Sequence, residues 1–317
     1  MELISESERI IGHYRGTEPG PLVVAIGGVH GNEPAGVRAL EQLIDLLDDE
    51  PRLNPTFTFR GEFLALRGNL AALAVGRRYI DADLNRIWRP MTGADCVTTE
   101  DRELHELLAA IETAVEEAPL SQLVLLDLHT TTAGGGVFAV TGDDNPSLSL
   151  AAEMAVPVIK GMLSGLQGTT LHYFRGNNFA TDLPVRAVSF ESGAHDDPAA
   201  IDLALAATVN LLRALGCVRR EDVSTHHDER LRESASHLPR LTELKYVHRV
   251  AHDGSDAFVM RPGFTNFQRV AAGQPLADDR NGTVTAPTDG YLLMPLYQEQ
   301  GDEGFFIIQD YELSLAY

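Results

Sequence analysis

Lysine is almost missing from this chain: Lys160 and Lys245 are the only two in 317 residues, so nearly all of the 25 basic side chains are arginine. Against them stand 46 acidic residues, for a formal net charge of −21. A surface of that sign repels nucleic-acid phosphates and anionic membranes, so neither partner is expected. The acidity is what plain solubility produces, and equally what a high-salt cytoplasm favours, where screening shortens the reach of carboxylate repulsion. Cysteine is as scarce. Cys96 and Cys217 are too few for a disulfide framework and are not spaced as a metal knuckle, so both read as ordinary thiols. No apolar run approaches the roughly 18 residues of a membrane span. The opening Met1-Glu2-Leu3-Ile4-Ser5-Glu6 lacks the basic and apolar regions of a secretion signal, and a cytoplasmic protein is expected. The glycines between Gly27 and Gly31 do not spell a dinucleotide-binding fingerprint, and no phosphate-loop lysine is present.

What is present reads as a globular protein. Hydrophobic content is 44%, and the length exceeds what one core usually supports, so one large and one small domain are expected. Strand-like runs alternate with helical ones in residues 1–217. Pro34 to Leu47, Thr98 to Val115 and Ala199 to Leu215 carry apolar residues at three- and four-residue spacing, with Thr99 a candidate cap and Gly216 a fitting C-terminal stop. That alternation predicts an α/β fold, a mostly parallel or mixed sheet with helices on both faces. Residues 218–240 are polar and read as a linker. Residues 241–317 hold short β-like runs between Gly, Pro, Asp and Asn, which predicts a small all-β domain.

Four apolar runs end in residues fit for metal chemistry. Leu22 to Ile26 leads into His30 and Glu33, Leu123 to Leu128 ends at His129, Ala187 to Phe190 ends at Glu191, and Glu62 to Leu66 precedes a segment with Arg78, Asn85 and Arg86. Ligand sites in open α/β sheets lie beyond the carboxyl ends of the strands, so these residues should converge. Two histidines and a glutamate form a catalytic zinc set whose fourth position is left to water. Each residue has a plainer reading: His30 as a loop residue, Glu33 as an answer to a helix dipole, Glu191 in a surface ion pair. His129 is hard to explain by packing at the end of so apolar a strand. Asp127, two residues earlier on the same strand face, suits either an imidazole-orienting carboxylate or a loop anchor. The arginines of the run from Arg77 to Trp88 suit either an anion site or a surface patch paired with Asp81 and Asp83. His13, His105, His172, His237, His248 and His252 have no partner at ligand spacing, His226 and His227 lie in the polar stretch, and His195, four residues after Glu191, suits a place lining the site or, more readily, a loop role.

The ordered motifs G-G-V-H-G-N-E-P-A-G, R-Y-I-D-A-D-L-N-R-I-W, D-L-H-T-T-T and S-F-E-S-G resemble the succinylglutamate desuccinylase/aspartoacylase family, relatives of the zinc carboxypeptidases. The run from Gly263 to Phe267, with Gly273 to Ala277 and Leu293 to Tyr297, is similar to that family's C-terminal β domain. By motif, the resemblance implies one zinc ion per chain on His30, Glu33 and His129, with Glu191 as the general base. It implies Arg78 at the scissile carbonyl, and Asn85 and Arg86 on the substrate carboxylate. Arg175, Arg186 and Tyr297 are candidates for completing the substrate site. The implied reaction is removal of an acetyl- or succinyl-type acyl group from a small anionic N-acyl amino acid. The alternatives are a carboxypeptidase acting on short peptides or a non-catalytic binding homologue; homodimerisation stays open.

The charge imbalance is testable by itself. At low ionic strength the excess carboxylates repel over about 30 Å, against about 3 Å at 1 M. On the high-salt reading the melting temperature rises from dilute buffer to molar KCl. A flat or falling melting temperature leaves the acidity as a solubility trait.

Overall fold

A computed structural model describes residues 9–311 apart from 118, 177, 180, 224–225 and 252–254. His252, and Ser224 and Thr225 of the polar stretch, lie outside the described residues. In chain order the elements are β1 (Ile10–Arg15), β2 (Glu18–Gly27), α1 (Ala35–Leu53), β3 (Arg60–Arg67), α2 (Leu70–Val75), α3 (Thr99–Glu116), β4 (Leu123–Thr131), β5 (Phe138–Thr141), α4 (Asn145–Glu153), β6 (Val158–Lys160), α5 (Thr170–Arg175), β7 (Val185–Ala194), α6 (Ala199–Ala214) and α7 (His227–Ala235). The C-terminal region adds β8 (Leu241–Arg249), β9 (Val259–Met260), β10 (Arg269–Val270), β11 (Pro275–Asp279), β12 (Gly282–Thr285), β13 (Gly290–Leu293) and β14 (Glu303–Asp310).

The fold is a mixed sheet between two helical layers, as the alternating pattern predicts. Among the described residues the sheet order is β1-β3-β2-β4-β7-β5-β6-β8-β14-β13-β10. Its centre is parallel, with β2 beside β3 and β4, and β4 beside β7. Strand periodicity builds both cores. Val23, Ala25, Val124 and Leu126 pack on one face with Leu40, Leu43 and Leu47 of α1 and with α6. Leu22, Val24, Ile26, Leu123 and Leu125 pack on the other with Leu104, Leu107 and Ile111 of α3. A strand whose two faces both meet helices reads as a continuous apolar run, as β2 and β4 do.

The expected helices form, with adjusted ends. The α3 cap is Thr98, one residue before the expected Thr99: its Oγ1 accepts from Asp101 N at 3.1 Å while Asp101 Oδ2 accepts from Thr98 N at 2.9 Å. This reciprocal box satisfies two donors that the helix start leaves over. The polar stretch 218–240 carries α7, which buries Leu231 in the first core. The strands of 241–317 adjoin the main sheet where β8 pairs in parallel with β6. They also enclose a core of their own around Leu276, Leu292, Phe305 and Ile307.

The crossover from β2 to α1 decides where the central residues sit. Gly27 closes β2, and a Cβ there would lie 2.5 Å from Val37 N and 2.6 Å from the carbonyl carbon of Gly36, both backbone atoms of α1. Gly36 in turn faces Leu128 of β4, whose Cβ would lie 2.8 Å from an added Cβ. Only hydrogen at both positions lets the helix start this close to the strand ends. Gly27→Ala is therefore expected to destabilise the protein by about 1–3 kcal/mol through overpacking, read as a lower urea midpoint at unchanged slope. An unchanged midpoint would show that the crossover yields without strain.

Candidate functional site

Three parallel strands end side by side, and their last residues meet. The β2–α1 crossover turns at Gly28, whose φ of 73° suits glycine, and delivers His30 and Glu33. The adjacent strand β4 runs on to His129, whose register partner on β7 is Glu191. Glu33 is the meeting point. One carboxylate oxygen lies 2.9 Å from His30 Nδ1; the other lies 3.1 Å from His129 Nδ1 and accepts from Thr130 N at 2.9 Å. His30, Glu33 and His129 are all buried, and their ligand atoms lie within 4.8 Å of one another, close enough to hold one metal ion.

A second carboxylate stands behind each imidazole. His30 Nε2 lies 3.1 Å from Asp83 Oδ1, and His129 Nε2 lies 2.9 Å from Asp127 Oδ2. Thr170 Oγ1 donates to Asp127 Oδ2 at 2.5 Å, which fixes that carboxylate. Such partners orient an imidazole and raise its basicity as a ligand. Burial presses the His129 pKa down, but Asp127 and Glu33 outweigh it and hold it well above the usual imidazole range. Burial presses Glu33 up, and the facing His30 and His129 outweigh that, holding it well below the usual carboxylate range.

Arg78 is tied to the same cluster. Its Nε and Nη2 donate to Asp83 Oδ2 at 3.1 and 3.0 Å, and its Nη1 lies 3.6 Å from Glu33 Oε1. Burial lowers its pKa, but Asp83 and Glu33 reverse that and leave it raised. Glu191 faces the cavity half-buried, and its Oε2 is fully shielded without a hydrogen-bond partner. Burial above all pushes its pKa up to about 8, which brings its titration close to neutral pH.

The segment carrying Arg78, Asn85 and Arg86 has little regular structure, so other groups must hold it. Glu100, fully buried in the first turn of α3, does much of this. Its Oε1 accepts from Asn69 Nδ2 at 3.0 Å and Ile80 N at 2.7 Å, and its Oε2 from Asp81 N and Ala82 N at 3.0 and 3.1 Å. Asp83 Oδ1 caps the single turn Leu84–Arg86 by accepting from Asn85 N at 2.8 Å. Asn85 Oδ1 accepts from Thr170 N at 3.1 Å, while its Nδ2 lies 3.5 Å from His129 Nε2. Arg86 Nη2 donates to Glu303 Oε2 at 2.6 Å.

The C-terminal region closes the cavity. Asn266 Nδ2 donates to Thr131 Oγ1 and to the Ala133 carbonyl, both at 2.9 Å, and its Oδ1 accepts from Met294 N at 2.7 Å. The glycines after β4 allow this contact: a Cβ on Gly135 would lie 2.5 Å from the Asn266 carbonyl oxygen. Met294, Leu296, Gln298 and Glu303 thereby form one wall of the cavity that holds His30, Glu33, Arg78, Asn85, Arg86, His129 and Glu191. His195, read from the sequence as a loop residue, lines this cavity too, with Nδ1 2.7 Å from Thr130 Oγ1. Its spacing of four from Glu191, at a strand end, is the signal that also allows it a place at the site. Arg175 lies outside the cavity wall and donates to Asp144 at 2.9 Å. Arg186 sits on β7 in register with Val124, also outside the wall. Tyr297 is 38% exposed, and its hydroxyl donates to the Arg261 carbonyl and accepts from Phe264 N.

Residues 19–180 match the family model of the succinylglutamate desuccinylase/aspartoacylase catalytic domain. Among curated proteins, the succinylglutamate desuccinylase of Yersinia enterocolitica is 30% identical over 164 residues, covering 50% of this chain and 46% of that protein. A probable aspartoacylase of a Nostoc species is 30% identical over 131 residues, covering 40% of each. The chain thus spans less than half the length of these two relatives. The crystal structure of succinylglutamate desuccinylase from Vibrio cholerae superposes with a TM-score of 0.64 at 18% identity, over 92% of this chain and 82% of that one. Murine aminoacylase 3 superposes at 0.57 and 18% identity, over 92% and 96%. At such identities the likeness establishes a shared fold, the zinc carboxypeptidase-like one with extra C-terminal strands.

Glu100 offers a test of how the arginine segment is held. Glu100→Ala strands the N–H groups of Ile80, Asp81 and Ala82, and is expected to cost upwards of about 2 kcal/mol in urea unfolding. Trypsin should then cut after Arg77 or Arg78 under conditions that leave the wild type whole. A variant as stable and as resistant as wild type would show that Glu100 does not hold this segment.

Proposed function

Because this chain belongs to the succinylglutamate desuccinylase/aspartoacylase family, we propose that it is a zinc-dependent amidohydrolase that removes a small acyl group from an N-acyl amino acid. The observation that carries the reading is the unpartnered Glu191 oxygen beside the cluster of His30, Glu33 and His129. The donor set fits zinc: two imidazoles and one carboxylate, each imidazole backed by a second carboxylate. The charge balance agrees, since the four carboxyl groups of Glu33, Asp83, Asp127 and Glu191 outnumber the two guanidiniums near them, Arg78 and Arg86, and leave room for a cation.

His30, Glu33 and His129 would hold the ion. Zinc bound there supplies a Lewis acid that polarises an amide carbonyl and acidifies water. Glu191 takes the proton of the attacking water and later gives it to the leaving nitrogen; a pKa raised by burial suits both steps. Arg78, fixed by Asp83, presents Nη1 toward the charge that develops on the carbonyl oxygen, where a preorganised donor acts most strongly. Asn85 and Arg86 hold the substrate carboxylate and so bring the amide to the other groups. The C-terminal wall leaves a cavity of about 120 Å³, which suits an acyl amino acid better than a peptide of several residues.

A screen of N-acyl amino acids with zinc-loaded protein tests the activity. Purified protein is expected to carry about one zinc per chain, and His129→Ala to lose zinc and activity together. Zinc must displace the proton that the raised His129 holds, so binding should release protons and weaken as pH falls. Calorimetry in buffers of different ionisation enthalpy reads this. Full zinc in His129→Ala would remove His129 from the ligand set.

Glu191→Gln is expected to keep zinc and substrate while losing about 10²–10⁴-fold in kcat. Near-normal kcat in that variant would assign the proton transfers to another group.

A further inference from the structure

The cavity that holds the charged cluster is, on one side, apolar. Beside Asn85 and Arg86 the wall is formed by Met162, Leu163, Leu166 and Leu171, with Val140 of β5 and Phe306 of β14. This wall is tied directly to the two residues assigned to the substrate carboxylate. Thr170 N donates to Asn85 Oδ1, Trp88 N donates to the Gly168 carbonyl at 3.0 Å, and Gly168 packs so closely on the Arg86 carbonyl that a Cβ would lie 2.0 Å from it. An amino acid has three substituents on its α-carbon besides hydrogen. With the carboxylate at Asn85 and Arg86, the acylated nitrogen at Glu191 and its carbonyl at Arg78, this wall is the apolar surface left for the third, the side chain.

The charges nearby are already matched. Arg86 is bound to Glu303, with Asp302 3.9 Å from its Nε, and Glu303 Oε1 lies 3.4 Å from Arg249. Arg78 is bound to Asp83 and close to Glu33. Among the described residues lining the cavity these are the two arginines, and no lysine lines it. A second carboxylate on the amino acid would lose its water against leucine, methionine and phenylalanine and meet Glu303, with no arginine of its own. Arg86, which lines the cavity beside Asn85, is left for the one carboxylate every amino acid has.

Resting on the deacylase reading above, we propose that the substrate is the N-acyl derivative of an amino acid with an uncharged, apolar side chain, selected by the wall of Leu163, Leu166, Leu171 and Phe306. Leu163 and Leu166 are half-buried and reach the cavity from a single turn, Met162–Gly165, and the residue after it. They can be changed with less damage to the core than the fully packed members.

The test keeps the acyl group constant. Zinc-loaded wild-type protein is assayed on N-acetyl-leucine, N-acetyl-methionine and N-acetyl-phenylalanine against N-acetyl-aspartate, N-acetyl-glutamate and N-acetyl-ornithine. Binding of the same compounds to zinc-loaded Glu191→Gln is measured by calorimetry. The apolar compounds are expected to lead in kcat/KM by at least about 100-fold, the scale set by leaving a buried charge unpaired, and in binding by at least tenfold. Leu166→Arg should weaken the apolar compounds and improve the acidic ones at least tenfold, while Leu166→Ala keeps the apolar preference. Leu163→Arg replaces it should Leu166→Arg melt well below wild type. Parity, or a preference for the acidic compounds, overturns the proposal, as does a preference for N-acetyl-ornithine drawn by Glu303. Tight binding of the apolar compounds to Glu191→Gln with no hydrolysis by wild type would instead overturn the deacylase reading and leave the selection by the wall standing.

Discussion

Two imidazoles turned so that both Nδ1 atoms meet one buried carboxylate need something behind each ring, and everything else at this site follows from how that need is met. Asp83 stands behind His30 and Asp127 behind His129. The two supports differ in origin. Asp127 comes from the strand that carries His129, two residues back on the same face, so β4 positions imidazole and support together. Asp83 comes from a segment with no strand to hold it. It is also the residue that grips Arg78, so one carboxylate sets the direction of an imidazole and of a guanidinium. Burial would push the Asp83 carboxyl up, but Arg78 and His30 outweigh this and keep it ionised, well below its usual range. It therefore stays an acceptor for both.

The loop that carries Asp83 inherits its order from elsewhere. Glu100 receives three consecutive backbone N–H groups, from Ile80, Asp81 and Ala82, just before Asp83 begins the turn to Arg86. A buried carboxylate is tolerable only when its lone pairs are filled, and four donors fill them here. The start of α3 thus anchors the arginine segment, and the Thr98 capping box anchors the start of α3. On the other side, Asn266 clips the C-terminal region to Thr131 at the end of β4. Met294, whose N–H is held by the same asparagine, takes the uncommon φ of 48° on the cavity wall. A backbone conformation of that kind persists where its surroundings over-determine it.

Much of this is legible in the sequence, and what is not has a physical reason. The strand ends are legible because β2, β4 and β7 are buried on both faces, which leaves unbroken apolar runs that stop where chemistry begins. His30, Glu33, His129, Glu191 and Arg78 could therefore be named together before any geometry, and Asp127 could be paired with His129 by strand period. Asp83 is harder. Two residues from Asp81 and among three arginines, it reads as surface charge pairing, and only the tertiary fold shows it buried against His30. Glu100 is invisible for a similar reason, since an acidic residue in a first helical turn already has a sufficient explanation in the helix dipole. The joining of β8 to β6 pairs residues 83 positions apart, Val158 with Leu241 among them, with no local signal. The apolar wall is equally silent: Leu163 and Leu166 sit in a short turn whose residues follow no period, and a leucine facing a cavity spells the same as a leucine facing a core.

The apolar wall and the charged cluster share one cavity, and each shapes what the other can do. Leu163, Leu166, Leu171 and Phe306 exclude water from one side of the space that Glu191 faces, and burial is the main reason its pKa rises toward neutrality. The same exclusion strengthens the attraction between Arg78 and any negative charge that forms in front of it, because a field weakens less where water does not intervene. A polar wall would relax both effects. It would solvate the ionised form of Glu191, draw its pKa back toward that of an ordinary carboxylate, and leave it a weaker partner for a proton near neutral pH. On the proposed reading, the wall that selects the side chain is also part of what tunes Glu191, and a change in one would register in the other.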